Sequence, residues 1–468
     1  MSDMFDSSDS EDLSVSDSGS SSEDNELFSD IDEDPTAALL DARIWCPIHS
    51  CQDPRPPPPR FPFTASPAVH LEKDGTLGIL YCFESFFDEY LINLITEQTN
   101  LYADQCIQSS FLKKFSRAKD WHPVKPGEIR VFFGLIILQG IVSKPVEEWY
   151  WSKKQAIATP FFAQVMSYQR FVLIKRYLHF SDNSVFDRDT HPNPKLNKIW
   201  PVIVQLNKKF SSLLTPERDL SIDESLMLYK GRLGWIQYIP LKRSRFGVKT
   251  FMLCESKTGY IWSFIIYTGK GSALNEEYKG LPKSSQIVLA LMKPLLGKGY
   301  CVTTDNYYTS PELADLLTSK GTDTYGTLRI TRKEVPNDLR QKKLKKGEFA
   351  ACQRGKVMVM KWHDKKVVSL LSTVHNTEFV DLEKRGKVSR KPKLVVEYNH
   401  TMGGVDRADQ HLTNYPIIRK RGKKYYKKMF FHLLDQATWN SFVLYKKSGG
   451  TKSNLDFRME LVENIIER

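Results

Sequence analysis

The sequence predicts an α/β protein, with a mixed-sheet core that is interrupted by a β-rich insertion and flanked on both sides by helices. Three observations predict it. Apolar residues recur at helical spacing before residue 218, alternating and β-branched runs take over at residue 219, and helical periodicity returns after residue 400. With 468 residues, 41% of them apolar, the chain is long enough for roughly two to four domains with buried cores.

Residues 1–36 mix Ser, Asp and Glu with few apolar residues. Such a segment cannot offset the entropy of ordering and is expected to be an acidic disordered tail. Residues 37–80 read as a Pro-rich linker, stiffened by PRPPPPRFPF at 54–63. Over 81–218, Phe83, Phe86, Phe87, Tyr90, Leu91, Leu94 and Ile95 recur at intervals of three and four, and 129–141 and 161–177 continue the pattern. This predicts a helical region. The runs DLSIDESLMLYKG, FGVKTFMLCES and GYIWSFIIYTG predict three successive strands. A helix over 285–296, the strand GYCVTTDN, a helix opened by Ser310 and Pro311, and the strand DTYGTLRI follow. The resulting β-β-β-α-β-α-β order over 219–331 fits an RNase H-like core. Residues 332–393, with KVMVMKWHD and VVSLLSTVH among many lysines, predict an inserted β-rich subdomain. Residues 394–415 return to the core with a helix, and 416–468 are helical.

The formal charge is +12, but residues 1–34 hold thirteen acids and no Lys or Arg, which leaves +25 on residues 35–468. So cationic a body favours polyanions through counterion release, nucleic acid ahead of anionic membrane. No stretch reaches the roughly 18 apolar residues of a membrane span; the longest, 131–142, is broken by Gln139. A soluble chain beginning near Met1 is expected, because its acidic, Ser-rich start is the opposite of a secretory signal. Seven scattered cysteines, an odd number, point to a reducing compartment.

Asp223 falls within the first predicted strand of the core and Asp305 at the end of a later one, so both can reach one crevice although far apart in sequence. Asp406 and Asp409 share a face if GVDRADQHL is helical, and Gly403 and Gly404 permit that helix to approach the sheet closely. Singly, each aspartate is more often a turn former or cap. Together they offer hard oxygen donors of the kind Mg²⁺ prefers, and two such ions can activate an attacking oxygen and stabilise a leaving one in phosphodiester chemistry.

The segments SIDESLMLYKGR, TTDNYYTSPELADLL, EYNHTMGGVDRADQ and LLDQATWNSFVLY resemble successive signature segments of piggyBac-type transposases and their domesticated relatives. The run YN-x-x-MGGVD-x-x-DQ is the most specific. The resemblance implies a catalytic triad of Asp223, Asp305 and Asp406, with Asp409 as a fourth metal-binding carboxylate and two Mg²⁺ or Mn²⁺ ions. It implies excision of double-stranded DNA through hairpinned ends, insertion at TTAA targets, and a nuclear location. It further implies that the helices before about residue 220 and after about residue 415 pack together as a dimerisation and DNA-binding domain of a homodimer, and that 332–393 is the family's insertion domain. Two features depart from the family pattern: no cysteine follows Cys352, so no C-terminal zinc module is evident, and Tyr425 stands where the family often carries Trp. The alternative reading is a domesticated DNA-binding or chromatin protein without productive transposition.

Basic residues line the expected DNA path. Arg232, Lys242, Arg243, Arg245 and Lys249 lie beside the predicted metal site, and Arg419, Lys420, Arg421, Lys423, Lys424, Lys427 and Lys428 crowd one stretch around Tyr425. Phosphate neutralisation and base stacking are their expected roles; for any one lysine a solvated charged face is the plainer reading. The run KRGKVSRKPK at 384–393 is compatible with nuclear import. Cys46, His49 and Cys51 form a C-x-x-H-x-C run, but a zinc site wants four ligands and only His70 is near in sequence, so no zinc is expected.

Overall fold

The computed structural model describes residues 44–48, 56–72, 78–109, 111–240, 245–269, 276–384, 386–417 and 424–467; the acidic segment 1–36 lies outside them. The described chain enters with β1 (Cys46–Ile48) and β2 (Ala68–Val69). Helices α1 (Ile79–Glu84), α2 (Glu89–Gln108), α3 (Pro126–Ile141), α4 (Pro160–Val165), α5 (Tyr168–Tyr177) and α6 (Trp200–Ser212) follow. Next come β3 (Leu214–Thr215), β4 (Asp219–Leu228), β5 (Gln237–Tyr238), β6 (Phe246–Glu255) and β7 (Ile261–Ile266). With α7 (Lys283–Met292), β8 (Cys301–Thr304), α8 (Pro311–Ser319) and β9 (Asp323–Thr327), the expected order appears, apart from the short β3 and β5. The insertion holds α9 (Asn337–Gln341), β10 (Phe349–Arg354), β11 (Val357–His363), β12 (Val367–Ser372) and the hairpin β13 (Phe379–Lys384) and β14 (Lys387–Pro392). Helices α10 (Lys393–Thr401), α11 (Gly404–Asn414), α12 (Tyr425–Lys447) and α13 (Asn454–Glu467) close it.

One sheet has the strand order β1-β10-β11-β12-β9-β8-β4-β6-β5, with β7 also on β6. Its centre is parallel, β4 with β8 and β8 with β9, and the surrounding pairs are antiparallel. This mixed sheet, dressed with helices, is an α/β fold of the RNase H-like kind. The insertion's strands β10–β12 continue the core sheet through the pairing of β12 with β9. Period-two alternation explains why: Met358, Met360 and Trp362 enter one apolar cluster, Val357 and Val359 another. A strand apolar on both faces needs cover on both, and α10 supplies Leu394 and Val395 to one side while α9 supplies Leu339 to the other.

The segment 37–80 requires a correction, because where it is described it is tied into the fold instead of spanning as a linker. β1 pairs with β10 at the edge of the sheet. Arg60 bridges Asp219 (3.6 Å) and Glu397 (3.3 Å), the Phe61 N–H donates to Asp323 (3.0 Å), and the Phe63 ring meets Tyr300 edge-on at 5.0 Å. Proline content describes the local backbone, whereas these anchors are tertiary and lie hundreds of residues away.

Helix α3 is the apolar run noted above, and it is apolar around its circumference because it is internal. It packs against α2 and α13. Among the described residues no helix is long and apolar enough to cross a membrane. Helix α12 is internal as well. The Asn440 side chain accepts from the Ile261 N–H (2.9 Å) and donates to the Ile261 carbonyl (2.8 Å), Trp439 Nε1 donates to the Gly259 carbonyl (2.9 Å), and Asp435 pairs with the fully buried Arg458 at 2.8 Å. The polar residues of LLDQATWNSFVLY thus fasten α12 to β7 and α13. One hydrophobic cluster spans α1–α8, α11–α13 and β4, β6, β7 and β8, so these helices share a core with that part of the sheet.

Candidate active site

The site forms where a strand stops short. β4 runs from Asp219 to Leu228, but its parallel neighbour β8 ends at Thr304, opposite Ile222. One further step of that register brings Asp305 beside Asp223. There the chain leaves the sheet in an Asx turn: Asp305 Oδ1 accepts from the Tyr307 N–H (2.9 Å), and its carbonyl accepts from the Thr309 N–H (3.0 Å) and hydroxyl (2.7 Å). Ser310 then caps α8 by accepting from the Leu313 N–H, with Pro311 at the first helical position. Asp223 is therefore mid-strand, yet open, because its neighbour has gone.

Asp223, Glu224 and Asp305 each offer a carboxylate oxygen, and these oxygens lie within 4.8 Å of one another. Glu224 accepts from the Tyr308 hydroxyl (2.9 Å) and pairs with Lys249 Nζ (2.9 Å). Burial works to raise Glu224, but the Lys249 charge and the hydrogen bonds outweigh it and hold the carboxyl below its ordinary value. Asp305 moves the other way. Burial and then the Glu224 charge push its pKa up to about 6. Three carboxylates around one ammonium leave surplus negative charge among hard oxygen donors, a set that fits a divalent cation.

Helix α11 brings the second pair of aspartates, Asp406 in its first turn and Asp409 one turn later. It lies on β4 and β6. Gly404 makes this possible, since a Cβ there would stand 2.3 Å from Ser221 Oγ; Gly403 faces open space and has no such duty. Gly259, at φ +73°, lets the β6–β7 turn touch the start of α11, and Arg407 clamps that turn by donating to the carbonyls of Ser256 and Lys257. Asp409 accepts from Ser225 Oγ at 2.6 Å, two residues along β4 from Asp223 and on the same face. Asp406 and Asp409 border the 4.8 Å group without belonging to it. Their charges still converge: burial and then Asp305, Asp223 and Asp406 push the Tyr398 phenol up, and burial with Asp409, Asp223 and Asp406 does the same to the Cys254 thiol.

A model of the Transposase IS4 family matches residues 80–442, a span that contains every one of these carboxylates. PiggyBac transposable element-derived protein 3 of Homo sapiens is 32% identical over 399 residues, 82% of this chain. The chain belongs to the family of piggyBac-type transposases and piggyBac transposable element-derived proteins. PiggyBac transposable element-derived protein 2 of Homo sapiens is 28% identical over 429 residues, covering 88% of this chain. The piggyBac-type chain spans 64% of the length of the first relative and 68% of the second. Among solved structures, a piggyBac transposase synaptic complex with hairpin DNA matches at TM-score 0.74 and 25% identity, over 86% of this chain and 83% of that one.

The structure sorts the basic residues of this piggyBac-type chain. Arg232 and Arg245 are exposed, but Arg245 precedes β6 by one residue and so lies seven residues along the chain from Met252, the register partner of Asp223. Lys249 is committed to Glu224 and lies over the Phe251 and Tyr307 rings, at 4.8 and 5.1 Å. Lys424 is exposed, donating to the Tyr102 hydroxyl at 3.0 Å. Lys427 and Lys428 are corrections to the expected DNA path. Lys427 Nζ donates to the carbonyls of Lys175 (2.7 Å) and Arg176 (2.6 Å), capping α5, and burial pushes its ammonium far down. Lys428 is only 5% exposed, and burial lowers it too. Both changes follow from α12 starting at Tyr425, because a helix turns successive lysines in different directions. Tyr425 is half-buried, its hydroxyl donating to the Lys195 carbonyl (2.8 Å) and its ring edge-on to Trp235. Lys242, Arg243, Arg419, Lys420, Arg421 and Lys423 lie outside the described residues, as do His49 and Cys51. His70 is engaged by Thr215 Oγ1 at 2.6 Å, and Cys46 is a free thiol.

Glu224, Tyr308, Arg407 and Arg332 were not singled out by sequence. Strand alternation sends Glu224 to the face opposite Asp223, and Tyr308 and Lys249 hold it in the cluster. Arg332, at the edge of the insertion, donates to the carbonyls of Asn306 and Tyr307 and so braces the turn that carries Asp305.

Proposed function

We propose that this chain is a DDE-type DNA transposase that cuts and joins strands of double-stranded DNA at TTAA sites, working as a nuclear homodimer. The observation that carries the reading is the β4–β8 register, which ends one step before Asp223 and Asp305 and so leaves them side by side where β8 stops, with α11 docked across β4. In this reading Asp223, Asp305 and Asp406 hold two Mg²⁺ or Mn²⁺ ions and Asp409 completes the set. When bound, the ions supply activation of the attacking oxygen and stabilisation of the leaving one. The protein's own part is positioning: Arg332 and the Asx turn fix Asp305, Ser225 fixes Asp409, and Arg407 with Gly404 fixes the pitch of α11. Family membership, and a structural neighbour solved with hairpin DNA, support DNA as the substrate.

The test is a supercoiled plasmid carrying TTAA sites, incubated with Mn²⁺ and either the wild-type chain or Asp305→Asn. Nicked and linear products from the wild type alone are expected. Equal cutting by both, or none by the wild type, overturns the enzyme; DNA binding without cutting would instead establish a domesticated binding protein.

A further inference from the structure

Between α2 and α3 the chain presents two phenylalanines to solvent. Phe111 and Phe115 are the most exposed large apolar side chains among the described residues, at 107% and 91%. Their loop is nevertheless well rooted. Leu112, between them, turns inward against the small cluster of Ala103, Ala118, Leu173 and Tyr177. The Ser116 N–H donates to the Lys113 carbonyl (3.0 Å), Ser116 Oγ caps the short turn at Ala118, and Trp121 packs edge-on to Tyr177 at 4.9 Å. A loop that buries one leucine and turns out the phenylalanine on either side is a presenting device, not a loose end.

Its charge indicates what is met there. The stretch FLKKFSRAK over 111–119 carries Lys113, Lys114, Arg117 and Lys119 and no acid, and Lys114 Nζ stands 5.7 Å from the Phe115 ring. The neighbouring Asp120 is engaged by Gln169. The cationic surface continues through exposed Arg176, over the Tyr177 ring at 5.4 Å, and Lys424, bonded to Tyr102; both tyrosines belong to the cluster that roots the loop.

We propose that this loop is a DNA wedge, in which Phe111 and Phe115 enter between base steps while Lys113, Lys114, Arg117 and Lys119 hold the flanking phosphates. Apolar wedges framed by cations are a recurrent way of kinking a duplex. A second copy meeting this loop with its own is the poorer occupant, since a symmetric contact would set the same four cations against one another. The inference rests on the reading that this chain binds DNA, and extends it to a contact away from the carboxylates.

The test measures binding of the full chain to a short random-sequence duplex by fluorescence anisotropy over a salt series, without divalent metal, and bending by energy transfer between labelled ends. Phe111→Ala with Phe115→Ala is expected to weaken binding about tenfold or more and abolish bending, with the salt dependence unchanged and the melting temperature preserved. Lys113→Gln with Lys114→Gln is expected to flatten the slope of log affinity against log salt by about 2. If the wild type binds and the phenylalanine variant binds and bends equally well, the wedge is overturned while the transposase reading stands. A wild type that binds no duplex overturns both. Phenylalanine-dependent sedimentation with phosphatidylserine vesicles, or dissociation of a dimer on removing the rings, each with duplex binding unaltered, would likewise overturn it.

Discussion

Asp435 in α12 and Asp305 at the end of β8 are both enclosed carboxyls inside family signature segments, yet they are built for opposite ends. Burial raises both. The next largest influence on Asp435 is the Arg458 cation at 2.8 Å, which pulls it back; on Asp305 it is another carboxylate, Glu224, which pushes it further. The chain cancels its own charge in one place and leaves a surplus in the other. What separates a strut from a ligand is therefore the sign of the nearest neighbour, not membership of a motif or depth of burial.

Removing Arg458 should give the largest effect. Arg458→Ala leaves Asp435 buried without its cation and is expected to cost about 3–5 kcal/mol in denaturant unfolding, part of which Asp435→Asn in the same chain restores; a loss below about 1 kcal/mol would break the comparison. Asp305→Asn should move stability the other way in metal-free protein. Because its folded pKa, about 6, lies above the ordinary 3.8, ionised Asp305 costs stability fully above about pH 6, and the cost fades as pH falls and is gone below about pH 4. The variant should then be about 2–3 kcal/mol more stable at pH 8 and no more stable at pH 4, which urea titrations at the two pH values would check.

Mn²⁺ at about 100 times its dissociation constant should add about 2.7 kcal/mol to the wild type, read as a rise in melting temperature. That rise should be absent in Asp305→Asn and shrink as pH falls through about 6; a rise equal in both proteins would place the ion elsewhere. Smallest of all, Ser225→Ala removes the hydroxyl bonded to Asp409 and should cost about 1 kcal/mol of stability while weakening Mn²⁺ binding roughly tenfold; unchanged metal affinity in calorimetry would detach Asp409 from the site.

The succession of strands and helices over 219–331, the α8 cap at Ser310 and the close approach of Gly404 were all legible, because each depends on a few neighbouring residues whose chemistry is local. Asp223 and Asp305 were also legible as a pair, since strand ends in such sheets converge. The parts that were not legible depend on partners distant in the chain. Nothing local distinguishes Lys427, which caps α5, from Lys424, which faces solvent, and no composition rule would send Arg60 to Asp219 and Glu397. Glu224 was hidden by the alternation rule, which assigns it to the face opposite Asp223, while its partners Tyr308 and Lys249 come from other parts of the chain.

The anchors on either side of the family-matching span have a practical meaning for anyone trimming this protein. A fragment cut to residues 80–442 would look complete by homology, yet it would discard β1 and bare the rim of β10, a ready template for self-association. It would also lose Arg60 and all of α13, and with α13 the guanidinium that makes Asp435 tolerable. Insoluble product from such a fragment would report on its borders and say nothing against the chemistry inside them.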